Sequence, residues 1–235
     1  MAFIHSPKIV TDGLVLALDA ANTKSYPGSG NIWNDLSGNL TTGSLNNGPT
    51  FNGANGGSIV FDGINQQVGF GDPVSLQITN NLSVFAWTKI PPATPTAPFD
   101  KGIVTKYITA TQRSWTMQTN NVTPYDKFQL FLSDGTNAKS ISTTTVIRTN
   151  EWTYVGFTFV SNVAVTYING LPVSSSASAT AINTLGITNV PVHVGGRSTS
   201  NYLDGSVATV QIYNRVLSAN EVLQNFNATR SRFGV

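Results

Sequence analysis

The chain contains no cysteine. Disulfides and thiolate metal sites are therefore excluded, while the redox compartment stays open. Charge is also scarce. Charged residues make up 10% of the 235, where an ordinary soluble domain carries roughly 25%. With 13 basic against 11 acidic residues, no basic stripe exists to hold a phosphate backbone, so no nucleic-acid partner is expected. Glutamate occurs only as Glu151 and Glu221, and histidine only as His5 and His193. Long apolar runs are missing too. The longest near the start, residues 14–18, is far too short to span a bilayer, so no membrane partner is expected. MAFIHSPKIV has one lysine and no apolar stretch before Thr11-Asp12-Gly13, so no leader is expected and synthesis in the cytoplasm is. Asn, Thr, Ser and Gly fill the surface instead. A nearly uncharged polar surface suits a protein held in an assembly or facing glycans.

What is present is strand. In EWTYVGFTFV (residues 151–160), Trp152, Tyr154, Gly156 and Thr158 alternate with Thr153, Val155, Phe157 and Phe159, the period-2 pattern of a pleated strand. Ser161-Asn162 separates this from Val163, Val165 and Tyr167, and Asn169-Gly170 closes the next turn. Asn-Gly suits a type I′ hairpin because both central residues need φ > 0. The meander is apolar on both faces, so it should be covered on both sides.

Other strands are expected at residues 13–19, 58–62, 67–70, 82–89, 102–108, 113–118, 127–133, 139–145, 192–195 and 206–213. Residues 20–55 are rich in Gly, Asn and Pro turns and read as a long structured loop with one short strand near Thr50-Phe51, anchored inward by Trp33. A Ser/Ala/Thr tract at 174–184 reads as an edge strand and loop. Pro91, Pro92, Pro95 and Pro98 stiffen residues 90–101 into a protruding loop. Ser218-Ala219-Asn220-Glu221 is a capping box, followed by Val222, Leu223 and Phe226 on one helical face. Roughly a dozen short strands and one short C-terminal helix give an all-β fold: a two-sheet antiparallel jelly-roll sandwich. The expected organisation is an N-terminal tail at 1–12, one domain at 13–229 and a C-terminal tail at 230–235.

No catalytic residues are assigned. Glycoside hydrolysis needs two carboxylates about 5 to 10 Å apart, and no acidic residues stand at alternate positions of a strand. Asp12, Asp62, Asp72, Asp134 and Asp204 precede Gly or Pro and read as turn formers. A serine nucleophile would need His5 or His193 as base, but the first lies in the tail and the second in a buried strand. No phosphate or dinucleotide fingerprint is present. No cofactor or metal ligand set is assigned. Calcium through Asp62, Asp134 or Asp204 with loop carbonyls is the one metal reading left open.

Four segments, taken together and in order, resemble the laminin G-like, concanavalin A-like jelly-roll family. They are SIVFDGINQQVGFG with LSVFAWTK, GIVTKYITATQRSWTMQ with KFQLFLSDG, EWTYVGFTFVSNVAVTYINGLPV, and VHVGGRSTSNYLDGSVATVQIYNRVLSANEVLQNFNA. Where many members carry an acidic pair, this chain reads Val207-Ala208-Thr209-Val210. The family's glucanases carry two Glu flanking an Asp on one strand, and that pattern is absent. The opening GLVLALDAANTKSYPGSGNIWNDLSGN and the ending NATRSRFGV resemble single-domain jelly-roll proteins of tailed bacteriophages of marine and cyanobacterial hosts. That resemblance implies a non-enzymatic virion component, a head decoration, fibre or tail-associated protein, present in many copies beside other virion proteins. The alternative is a carbohydrate-binding adhesion module for a host-surface glycan. Expected partner contacts are Phe3, Ile4, Pro92, Pro95, Pro98, Arg230, Arg232 and Phe233. Expected glycan contacts are Tyr107, Trp115, Tyr125 and Tyr202, aromatics near strand ends where a sugar ring can stack.

Overall fold

A computed structural model describes residues 7–93, 100–109, 111–120, 122–123, 125–173, 175–177, 179–186 and 189–235. Phe3, Ile4, Pro95 and Pro98 lie outside the described residues. Seventeen strands are described, in chain order: β1 (Leu14–Asp19), β2 (Ile32–Asn34), β3 (Thr42–Asn46), β4 (Thr50–Asn52), β5 (Ser58–Asp62), β6 (Gln67–Gly69), β7 (Leu82–Lys89), β8 (Gly102–Thr109), β9 (Gln112–Thr119), β10 (Lys127–Ser133), β11 (Ala138–Val146), β12 (Trp152–Val160), β13 (Val163–Ile168), β14 (Leu171–Pro172), β15 (Ser175–Ala177), β16 (Val192–Val194) and β17 (Asp204–Tyr213). One α-helix, α1 (Ala219–Thr229), follows.

The strands form two antiparallel sheets. Sheet A runs β14-β13-β12-β7-β17-β5-β4, with β1 also on β17, and sheet B runs β15-β11-β10-β9-β8-β16-β6-β3-β2. The jelly-roll expectation holds. Residues 20–55 differ from it in detail, because β2 and β3 join the edge of sheet B and the segment is more than loop. Trp33 anchors it from within, fully buried.

Antiparallel partners share a face, so pairing separates inside from outside. On sheet B the row Leu45–Val68–Val194–Val104–Met117–Leu130–Ile141 points into the sandwich. On sheet A, Val84, Ala86, Val155, Phe157, Val210 and Ile212 face it. Trp115 sits in this core at 1% exposure, 6.1 Å from the Phe157 ring. The expectation that it meets a glycan is thereby corrected: it stands on the same side of β9 as Met117, which faces inward, and its indole is core.

The outer face of sheet A is a second apolar layer. Phe85, Trp87, Tyr154, Tyr167 and Tyr213 pack there with Val222 and Phe226 of α1, and with Val10 and Phe233. The helix starts at its expected box: Glu221 N–H donates to Ser218 Oγ (3.3 Å), and Ser218 N–H donates to Glu221 Oε2 (2.8 Å). The Asn169-Gly170 turn has φ of 51° and 80°, as a type I′ turn requires, and Phe226 packs on it. So the meander is covered on both sides, by sheet B within and by the helix without.

Both terminal segments belong to this layer. Val10 N–H donates to Asn225 Oδ1 (2.8 Å), and Tyr213 Oη–H donates to Val10 O (3.0 Å). After α1 a 3-10 turn, Arg230–Phe233, folds back. The Phe233 ring lies 4.2 Å from Trp87 and 4.9 Å from Trp152. Arg232 pairs with Asp19 at 2.6 Å and donates to Gly57 O. The sequence reading expects a C-terminal tail at 230–235 that contacts neighbours. Instead one aromatic residue and one arginine tie it down, and Phe233 is too buried to meet a partner. Arg230 and Pro92 remain exposed.

Candidate functional site

The outer face of sheet B is built differently. Its central row reads Ser44–Gly69–His193–Thr105–Thr116–Phe131–Ser140. A neighbouring row reads Gln118–Gln129–Ser142. No described helix covers this face. The alternation in KFQLFLS produces it directly: Phe128, Leu130 and Leu132 point inward, so Gln129 and Phe131 point out.

Polar side chains on this face form a continuous network. Arg197, in the loop after β16, pairs with Asp100 at 2.7 Å and donates to Gln118 Oε1. Gln118 Nε2 donates to Gln129 Oε1 (2.7 Å), whose own Nε2 donates to Ser142 Oγ (2.9 Å). Asn201 Nδ2 also donates to the Asp100 backbone carbonyl, at 2.9 Å. Gln67 Nε2 donates to Ser198 O (2.6 Å), linking β6 to the same loop. Such a network holds donors and acceptors in fixed positions.

The network is also incomplete. Thr116 Oγ1, Gln67 Oε1 and Arg197 Nε are buried with no hydrogen-bond partner. Orphaned buried polar groups cost roughly 1–3 kcal/mol each. His193 sits in the central row, and burial pushes its imidazole down to about 4, so it is neutral at pH 7.

Aromatic rings stand over one end of this face. Tyr107 and Phe131 meet edge-on at 6.1 Å. Arg197 lies 4.9 Å from the Tyr107 ring and Arg113 lies 5.2 Å from the Phe131 ring. The register between β8 and β9 shifts at Lys106/Tyr107. The extra residue, Ser114, lets Trp115 point in while Arg113 points out, a common use of a β-bulge.

Of the four expected glycan contacts, Tyr107 is on this face and half-buried. Tyr202 borders it, packed against Gly196 with its hydroxyl 3.4 Å from Ser198 O. Tyr125 lies two residues before β10, away from the Phe131 end, with φ of 61°. Trp115 is in the core. Arg113, Phe131, Arg197, Asp100, Gln118 and Gln129 were not singled out from sequence. The outward position of Gln129 and Phe131 is legible in strand alternation. The Arg197–Asp100 contact spans 97 residues, and nothing local announces it.

The three aspartates considered for calcium are occupied in turns and pairs. Asp62 and Asp204 stand opposite each other across β5 and β17. Asp204 Oδ2 accepts from Arg148 (2.8 Å), and Asp62 Oδ1 accepts from the Ile64 N–H (2.8 Å). Asp134 accepts from Asn137 and Thr136, and the Asn137 hydrogen bond holds its carboxyl below the usual range. Among the described residues no grouping of three or more His, Asp or Glu side chains is placed to hold a metal.

The family described as the concanavalin A-like lectin/glucanases superfamily, laminin G type, matches residues 62–223. The chain belongs to this superfamily. Solved structures extend the likeness to nearly the whole chain. The binding domain of Paraclostridial Mosquitocidal Protein 1 superposes with a TM-score of 0.72 at 18% identity, covering 93% of this chain and 52% of that one. The Botulinum Neurotoxin Type G receptor-binding domain gives 0.66 at 19% identity, covering 92% and 51%. This chain therefore spans about half the length of both. Domain 4 of AbnA, a GH43 extracellular arabinanase from Geobacillus stearothermophilus solved with arabinotriose, gives 0.65 at 16% identity and covers 90% and 97%. At such identities the likeness is one of fold. No curated protein matches the chain. The reading as a phage virion component thus rests on the end segments alone, while superfamily membership rests on the match and the architecture.

Proposed function

We propose that this protein is a non-catalytic carbohydrate-binding module whose ligand lies on the outer face of sheet B. The observation that carries this reading is a pair of half-buried rings, Tyr107 and Phe131, beside a polar network that the loop after β16 partly covers. That face is a fixed polar network with orphaned buried groups and half-buried rings, and no described helix lies over it. A glycan suits it chemically, because hydroxyls supply both donors and acceptors, and the C–H face of a sugar ring rests well on an aromatic surface. The superfamily's lectin-like fold and the relatives named as binding domains support it. Catalysis has no evident machinery: Glu221 is committed to Arg215 at 2.6 Å, and Glu151 opens a strand. On a virion, the setting suggested by the end segments, such a module serves attachment to a host surface.

The test is a glycan array probed with the intact chain and with Tyr107→Ala at matched folding. Binding by the parent that falls at least tenfold in the variant is expected. No binding to any glycan at millimolar concentration contradicts the reading.

A further inference from the structure

Arg113 has no anionic partner. The six ion pairs engage Asp72, Asp204, Asp100, Asp12, Glu221 and Asp19 with other cations. All eleven acidic residues of the sequence lie within the described segments, and none approaches Arg113 within ion-pair distance. Its Nε donates to Ser133 Oγ (3.2 Å), and its guanidinium lies over Phe131. Among the described residues its two Nη groups meet no acceptor. Arg197, at the other end of the same aromatic pair, is neutralised by Asp100.

The arrangement along this end of the face is thus Arg197, Tyr107, Phe131, Arg113, with the charge of Arg113 alone unanswered. A guanidinium fixed by a ring and a hydroxyl presents its remaining N–H groups as a planar fork, which matches a carboxylate or a sulfate. The bulge at Ser114 is what places it there: without the extra residue, Arg113 would share the inward side of Trp115.

We infer that the ligand of this face is an anionic glycan, with its carboxylate or sulfate on Arg113 and an adjoining sugar ring on Tyr107 and Phe131. This rests on the glycan-binding reading and narrows it to acidic sugars. The charged contact is half-exposed, so its contribution weakens as salt rises.

The experiment titrates the intact chain with three oligosaccharides of one core: N-acetyllactosamine, its sialylated form and its 6-sulfated form, at low and high salt. At least one anionic form is expected to bind tenfold or more tightly than the neutral core at low salt, and the two anionic arms tell carboxylate from sulfate. Arg113→Gln brings the anionic forms to the level of the neutral core, and Arg113→Lys retains part of the preference. Thermal melts of both variants establish that they are folded. Equal affinity for neutral and anionic forms overturns the inference and leaves the glycan reading standing, as does a preference that survives in Arg113→Gln. Failure of all three to bind, together with an empty glycan array, overturns both.

Discussion

On the outer face of sheet A one row reads Tyr167–Gly156–Phe85–Gln211–Ala17. On the outer face of sheet B the matching row reads Ser44–Gly69–His193–Thr105–Thr116–Phe131–Ser140. The first belongs to an aromatic face whose polar groups are mostly answered, the Thr209 hydroxyl excepted. Tyr154 donates to Gln211 (2.7 Å), Trp87 Nε1 donates to Thr229 Oγ1 (2.7 Å) and Asn225 Nδ2 donates to Tyr213 (3.0 Å). The second is polar, and several of its groups are unanswered. Both rows belong to the same fold with the same strand chemistry. A helix and two terminal segments close the first face; over the second, the loop after β16 covers the centre and leaves Tyr107, Phe131 and Arg113 half-exposed. Sheet A's face should therefore respond to mutation through stability, and sheet B's face through binding.

The largest effect is expected at Gly156. A Cβ there would stand 2.1 Å from the Phe85 ring and 2.4 Å from Val84 O. The ring is buried and the carbonyl is part of the ladder, so neither can give way. Gly156→Ala should cost about 4 kcal/mol in urea unfolding. A loss below about 1 kcal/mol would mean that sheet A's outer face is loosely packed. Phe233→Ala comes next. It removes the ring stacked on Trp87 and Trp152, and a loss of about 3 kcal/mol is expected. A melting temperature unmoved by that change would mean that residues 230–235 contribute nothing to this layer.

His193 carries the pH dependence of sheet B. Its folded value, about 4, lies below the ordinary 6.5 because burial disfavours the charged ring. The unfolded chain therefore takes up the proton first as pH falls. Stability from this group is full above about pH 6.5 and drains away between there and about pH 4, by at most about 3 kcal/mol. Melts of the parent and of His193→Gln across that window should converge as pH falls. Glu221 acts lower down. Its hydrogen bond with Arg215 holds the carboxyl at about 2, so its contribution is full above about pH 4.5 and drains away from there down to about pH 2. The smallest effect has the opposite sign. Thr116→Val removes a buried hydroxyl that has no partner, so stability should hold or rise by up to about 1 kcal/mol. A clear destabilisation would show that the hydroxyl is answered within the fold.

Sequence reading reached the sheets and the helix because both carry local signals. Period-2 alternation gave the strands around Trp152 and Phe128, Asn169-Gly170 gave its turn, and Ser218 with Glu221 gave the cap. The destination of α1 was not legible, because an apolar helical face says only that something covers it. Arg230–Phe233 looked like a tail because four residues have no period, and its hold on Asp19 and Trp87 is wholly long-range. On sheet B, Tyr107 was found by its type and place. Arg113 was hidden by a one-residue bulge, which reverses the side that alternation assigns. The Arg197–Asp100–Gln118 contacts join distant loops, and only the fold brings them together.

The central claim is that the polar face of sheet B, at its Tyr107–Phe131 end, and not the helix-covered face of sheet A, meets the ligand. Backbone amide NMR during a titration with the three oligosaccharides tests it most directly. The account predicts shifts confined to β8, β9, β10 and residues 196–203, with α1 and the Arg230–Phe233 turn unmoved. Shifts gathered on α1 and its turn, with β8 to β10 silent, would contradict it.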